Sequence, residues 1–142
     1  MKPRFPRWLA VGLMLAIAPP IHAGIACDCG DGDGIPDVLD KCTLDSRNVA
    51  SPCDSDSDGY GNPCDADFDQ TYTVNSNDFV MVFLPRFKTG VDVSPVGADM
   101  DCNGTVNSLD FTKFFVPKFK GALGGAMPGP SGLACAGQAG CM

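Results

Sequence analysis

The chain has 142 residues and a formal net charge of −7, and all 17 of its acidic residues are Asp. So acidic a chain is a poor match for nucleic acid or an anionic membrane surface, since both repel it. Its one His, His22, lies in the leader described next, and Glu is absent. A His general base, a Ser-His-Asp triad and a His-ligated zinc site are thus excluded from residues 24–142, which read as non-catalytic.

Residues 1–23 read as a signal peptide. Lys2, Arg4 and Arg7 form a basic start, Trp8 to Ala18 an apolar run, and Ala23 offers a small residue at the cut after Pro19-Pro20. The run is shorter than the ~20 residues that a membrane span needs. A second reading of Gly24-Ile25-Ala26-Cys27 is a lipoprotein cleavage site, with the anchor at Cys27. Cleavage after Ala23 would remove three basic residues and take the net charge to −10. Eight Cys follow the leader: Cys27, Cys29, Cys42, Cys53, Cys64, Cys102, Cys135 and Cys141. An even number in a small exported chain predicts disulfides, and the lack of any CxxC pair weighs against zinc.

Two Asp-rich stretches come next, DGDGIPDVLDKC at 31–42 and DSDSDGYGNPCD at 54–65. The second fills a twelve-residue calcium loop. Asp54, Asp56, Asp58, the Tyr60 carbonyl, Asn62 and Asp65 take positions 1, 3, 5, 7, 9 and 12, with Gly59 at 6. In the first, Asp31, Asp33, Asp37 and Asp40 take positions 3, 5, 9 and 12, with Gly34 at 6. Position 1 would be Cys29, a poor ligand for a hard cation, with Asp28 or water as substitutes.

Residues 66–88 then repeat at 98–120 without a gap, with 13 of 23 positions identical. Such a repeat means one supersecondary unit used twice. Each copy reads as a loop followed by a short helix. In the second, Asp99, Asp101, Asn103, Thr105 (through its carbonyl), Asn107 and Asp110 take positions 1, 3, 5, 7, 9 and 12, with Gly104 at the sharp turn. In the first, Asp67, Asp69, Thr71, Thr73, Asn75 and Asp78 take the same places. Here Tyr72 replaces the glycine and carries a steric cost if its φ is positive. The helices carry Phe79, Val82, Phe83 and Phe87, and Phe111, Phe114, Phe115 and Phe119. These stripes read as core, two helices packed face to face, with a partner groove as the alternative. Each helix is expected to end or kink near Pro85 or Pro117.

The stretches 31–42 and 54–65 resemble thrombospondin type 3 repeats. The duplicated DxNGTVNSLDF-type loop with its aromatic helix, over 66–120, resembles a type I dockerin, an EF-hand-like module. The first resemblance implies a Cys42–Cys64 disulfide, with Cys53 as a competing partner; Cys135–Cys141 would close a short terminal loop. The second implies two calcium units with approximate twofold symmetry that dock onto a cohesin-like protein. Its contact positions map to Ser76, Asn77, Phe83 and Leu84, and to Ser108, Leu109, Phe115 and Val116. Dockerins often sit beside polysaccharide-degrading enzymes, so a link to polysaccharide catabolism would be indirect.

The expected architecture is small, loop-rich and mainly α. Calcium loops (24–65) are followed by a dockerin-like pair of loop–helix units (66–120), stapled by disulfides, and by an irregular, flexible Gly/Pro-rich tail (121–142). The four loops take every Asp except Asp28, Asp45 and Asp92. Four Ca²⁺ would nearly neutralise them, and replacing Asp92 should do little. The expected function is a calcium-binding docking or adhesion module, secreted or on a bacterial cell surface, or else a calcium-stiffened structural spacer.

Overall fold

The computed structural model describes residues 29–47, 53–92, 96–121 and 125–142. The leader, its cleavage site, Cys27 and Asp28 lie outside them. The described residues form a mainly helical, loop-rich fold without strands; a single bridge joins Asp58 to Cys141. A 3-10 turn at Asp37–Leu39 is followed by two loop–helix units.

The helices differ from expectation at their prolines. After two α-helical residues, at 76–77 and 108–109, each passes through a π-helical segment, π1 at Asp78–Phe83 and π2 at Asp110–Phe115, and runs directly into a short α-helix, α1 at Leu84–Thr89 and α2 at Val116–Phe119. Pro85 and Pro117 therefore open the α-helical part and do not end the helix. The Leu84 amide bonds the Phe79 carbonyl and the Val116 amide the Phe111 carbonyl, five residues back in each case. The register thus changes where the proline donor is missing, and proline fits the first turn of the α-helix that follows. Gly90, with φ of 71°, then caps α1.

The repeat builds its own core. Ala66 and Ala98, Phe68 and Met100, Val74 and Val106, and Phe83 and Phe115 are repeat mates, and all eight are buried. The two helices pack face to face as expected. Ring centroids are 5.4 Å apart for both Phe79–Phe111 and Phe83–Phe115, while Phe68 lies 6.1 Å from Phe83 and 5.9 Å from Phe115. Each fully buried Phe contributes roughly 2–3 kcal/mol. The loops also clasp across the symmetry. The Val106 amide bonds the Gly90 carbonyl after α1, and the Val74 amide bonds the Ala126 carbonyl after α2.

Three cysteine pairs stand at disulfide distance. Cys42–Cys64 (Cα–Cα 5.7 Å) joins the first two Asp loops, and Cys135–Cys141 (5.5 Å) closes the terminal loop. Cys53 pairs with Cys102 (6.4 Å), linking the loop at 54–65 to the one at 99–110. Cys29 is bonded as well.

Two expectations are corrected. Asp92 is not idle: it pairs with Arg86 at 2.7 Å and accepts the amides of Val96 (3.4 Å) and Ala98 (3.0 Å). The tail is irregular, but residues 125–142 pack closely onto the loops. The Gly132 amide bonds the Asp40 carbonyl (2.8 Å), Gly129 bonds Cys64 (3.2 Å), and Thr43 bonds Pro130 (3.0 Å). A Cβ at Gly129 would lie 2.7 Å from the Tyr60 ring, and one at Gly137 would lie 2.7 Å from the Tyr72 hydroxyl. Glycine in this tail serves close approach, the other role of a missing side chain.

Candidate metal centres

The structure gathers carboxylates at four places. Asp31, Asp33 and Asp40; Asp54, Asp56 and Asp58; Asp67, Asp69 and Asp78; and Asp99, Asp101 and Asp110 each bring ligand oxygens within 4.8 Å of one another. One group falls in each expected loop. Two of the expected aspartate ligands stand outside these groups. Asp37 turns its carboxylate to the Gly30 amide (2.6 Å), and Asp65 turns to the Asp67 amide (2.9 Å).

The four loops share one backbone track. Positions 4 and 6 have positive φ every time: Gly32 79° and Gly34 93°, Ser57 61° and Gly59 90°, Gln70 59° and Tyr72 61°, Cys102 59° and Gly104 91°. Those four non-glycine residues are the only ones with positive φ among the described residues. Each costs roughly 1–2 kcal/mol in that conformation. Position 4 was not foreseen, because Ser, Gln and Cys carry no sequence signal for it. At this position Ser57→Gly should stabilise the protein slightly and Ser57→Val destabilise it, the two differing by about 1–2 kcal/mol in calcium-saturated melts. Equal melting temperatures would refute the shared track.

Hydrogen bonds hold the ligand residues in place. In the last three loops one oxygen of the position-1 Asp takes the position-5 amide and the other takes the position-6 amide. Asp54 accepts from Asp58 and Gly59, Asp67 from Thr71 and Tyr72, and Asp99 from Asn103 and Gly104. Both oxygens of Asp99 keep a second lone pair for a cation, whereas Asp54 Oδ2 also takes the Lys41 ammonium and Asp67 Oδ1 the Thr71 hydroxyl.

Position 12 divides the loops into two kinds. Asp78 accepts the amides of Asp69 (3.2 Å) and Asn75 (2.7 Å). Asp110 accepts those of Met100 (2.8 Å), Asp101 (3.1 Å) and Asn107 (2.7 Å). Asp40 and Asp65 instead accept an amide two residues on, from Cys42 and Asp67. The first two loops thus tie position 12 to the residue two on, and the last two tie it back across the loop.

The neutral positions hydrogen-bond one another and the neighbouring carboxylates. Asn75 and Asn107 donate to the position-7 carbonyls of Thr73 (2.9 Å) and Thr105 (3.2 Å). The Thr71 hydroxyl donates to Asp69 (2.7 Å), and Asn103 accepts the Thr105 amide (2.9 Å). Tyr60 donates its amide to Asp58 (2.9 Å). Asn62 accepts the Ser55 amide and donates to the Asp99 carbonyl (3.0 Å), reaching into the fourth loop.

Charge pairing sorts the aspartates. Arg47 pairs with Asp45 and Arg86 with Asp92, the two described aspartates outside the loops, while Lys41 pairs with Asp54 at 2.9 Å. Most loop carboxylates face one another instead. Burial, then Asp58, then Asp54 push Asp56 up to about 6. Burial first also raises Asp58, Asp67, Asp78, Asp99 and Asp110, and holds Asp65 well above the usual carboxylate range.

A hard cation fits this donor set, which is all oxygen and mostly anionic. In the first loop Oδ2 of Asp31 and of Asp33 are buried without a hydrogen-bond donor, while Oδ1 of the neighbouring Asp40 takes the Cys42 amide. Buried carboxylate oxygens that lack a donor and converge on one point are what a cation would satisfy. Comparison with protein-family models, with curated proteins and with solved structures gives no match, so the metal reading rests on loop geometry alone.

Proposed function

We propose that this chain is an exported, non-catalytic calcium-binding module in which calcium orders four Asp loops and so presents two aromatic helices to a protein partner. The observation that carries the reading is one backbone track repeated four times, each copy converging three carboxylates. Calcium suits it better than magnesium, because flexible all-oxygen loops match calcium's tolerant coordination. Loops of this kind in extracellular modules bind with Kd of roughly 10⁻⁴–10⁻³ M, so ambient calcium would keep them loaded. Three cysteine pairs at disulfide distance agree with an oxidising compartment.

The partner-facing surface in this reading is a pair of shallow apolar grooves, about 150 and 210 Å³ in volume. Phe79, Phe83, Leu84, Phe87 and Phe111 line the first. The second is lined by their repeat mates Phe111, Phe115, Val116, Phe119 and Phe79, with Ser76. Dockerin resemblance makes the partner cohesin-like and any tie to polysaccharide catabolism indirect.

A structural spacer is the second reading. Phe83 and Phe115, two of the implied contact residues, are buried in the core at 0% and 2% exposure. Contact would then fall to Ser76, Asn77, Ser108 and Leu109, with half-buried Leu84 and Val116.

Calorimetry should find four calcium equivalents, and a panel of cohesins should bind only with calcium present. Fewer than two equivalents would overturn the metal reading. Calcium-independent binding would overturn the mechanism, and no binding at all would favour the spacer.

A further inference from the structure

Residues 125–142 lie on the 54–65 loop in a way that the loop's own conformation controls. The amides of Gly140 (2.8 Å) and Cys141 (2.9 Å) both bond the Ser57 carbonyl, and the Gly137 amide bonds the Asp58 carbonyl (2.7 Å). Ser57 is position 4, itself at positive φ, and Asp58 is position 5, just before the second positive-φ turn at Gly59. Those carbonyls point toward the tail only while the loop keeps that track. The fit is close: a Cβ on Gly59 would lie 2.4 Å from Cys141 Sγ and 3.0 Å from the Ala136 Cα. Cys141 itself is buried, and Asp58 bridges to it in parallel.

Beyond the bonds to Asp40, Thr43 and Val74 described above, further contacts carry the same segment to other elements. The Tyr72 hydroxyl of the third loop donates to the Gly137 carbonyl (2.6 Å), and buried Lys118 of α2 donates to the Gly129 carbonyl (2.5 Å). No contact with the 99–110 loop appears among these.

We propose that residues 125–142 are a calcium-operated strap, closed over the 54–65 loop when that loop is loaded and released when it is empty. The proposal rests on the calcium reading above. With Asp54, Asp56 and Asp58 converged and no cation, their repulsion opposes the track that aims the Ser57 and Asp58 carbonyls. Metal removes that repulsion, and the strap adds three backbone hydrogen bonds that exist only in the loaded shape. By linkage the strap must then tighten calcium at this loop by the same factor that calcium tightens the strap.

Hydrogen exchange on the full-length protein, with calcium and metal-free, tests this. In the wild type, calcium should slow exchange at Gly137, Gly140 and Cys141 by about tenfold or more. Asp56→Asn with Asp58→Asn should abolish that protection, while Asp99→Asn with Asp101→Asn should leave it in place. A strap variant that replaces no ligand residue, Gly137→Val, should weaken one calcium site roughly tenfold without changing stoichiometry. Equal loss of protection in both loop variants, or unchanged calcium affinity in Gly137→Val, would overturn the strap. If Gly59 and Tyr60 respond to calcium and the tail amides do not, the strap alone falls. If calcium produces no heat and no amide responds, the strap and the calcium reading fall together.

Discussion

Metal-free protein at pH 7.5 is expected to melt tens of degrees below the calcium-loaded form, and the gap should close as the pH falls toward 4.5. At about 2 mM calcium and a Kd of about 10⁻⁴ M, each site adds roughly 2 kcal/mol, and four sites together add about 7. Whole domains are stable by only about 5–15 kcal/mol, so losing the metal removes a large share of the total.

The pH dependence follows from the direction of the carboxylate shifts. Burial and neighbouring carboxylates raise Asp56 to about 6, and burial first raises Asp58, Asp65, Asp67, Asp78, Asp99 and Asp110. In the unfolded chain an Asp titrates near 3.9. The metal-free fold therefore binds protons more tightly than the unfolded chain does, and it gains stability as the pH drops from 7 through about 6 toward 4. The loaded form behaves oppositely, because protons compete with calcium for the same oxygens. Melts of resin-stripped protein, with and without added calcium, read both limbs. A metal-free melting temperature that falls along with the loaded one would refute the role given to these carboxylates.

The four aspartate groups were legible because the sequence repeats one chemistry: a side-chain oxygen at alternate positions and a turn at the sixth. Two aspartates that fit the template lie outside the four groups. Asp37 and Asp65 match positions 9 and 12 by type, yet each turns to a nearby amide, at Gly30 and at Asp67. The aromatic core was legible from the repeat, since mates such as Phe83 and Phe115 must meet if two copies pack together.

Three features were not legible, each for a physical reason. Proline was weighed against α-helical geometry, where it costs a bond and a clash, but a π segment moves the donor register ahead of Pro85 and Pro117. The Cys53–Cys102 pair joins residues far apart in sequence, and spacing carries no such information. The glycines of 125–142 read as flexibility, because composition alone cannot tell freedom from close approach. Gly129 and Gly137 sit against Tyr60 and Tyr72, where any side chain would collide.

Asp110→Ala should be among the most damaging substitutions in the protein, and it can be separated from mere destabilisation. Asp110 is fully buried at the start of π2, and its carboxylate takes the amides of Met100, Asp101 and Asn107. Removing it strands up to three donors, at roughly 1–3 kcal/mol for each that stays buried, and in the calcium reading deletes a ligand of the fourth site. The expected result is a loss of at least about 4 kcal/mol, one fewer calcium equivalent, and less helical signal from 108–119. Asp110→Asn keeps an acceptor oxygen and should retain more stability while still weakening the site. Asp92→Ala supplies the contrast. It breaks the Arg86 pair and frees the Val96 and Ala98 amides, so it too should lower stability, by about 2–4 kcal/mol. Asp92 lies in no loop, however, so every calcium equivalent should remain. Calorimetric titration of the two variants beside thermal melts separates a ligand from a strut. Matching calcium counts for Asp110→Ala and Asp92→Ala would mean that the 99–110 loop holds no metal and that Asp110 is there only to tie backbone amides together.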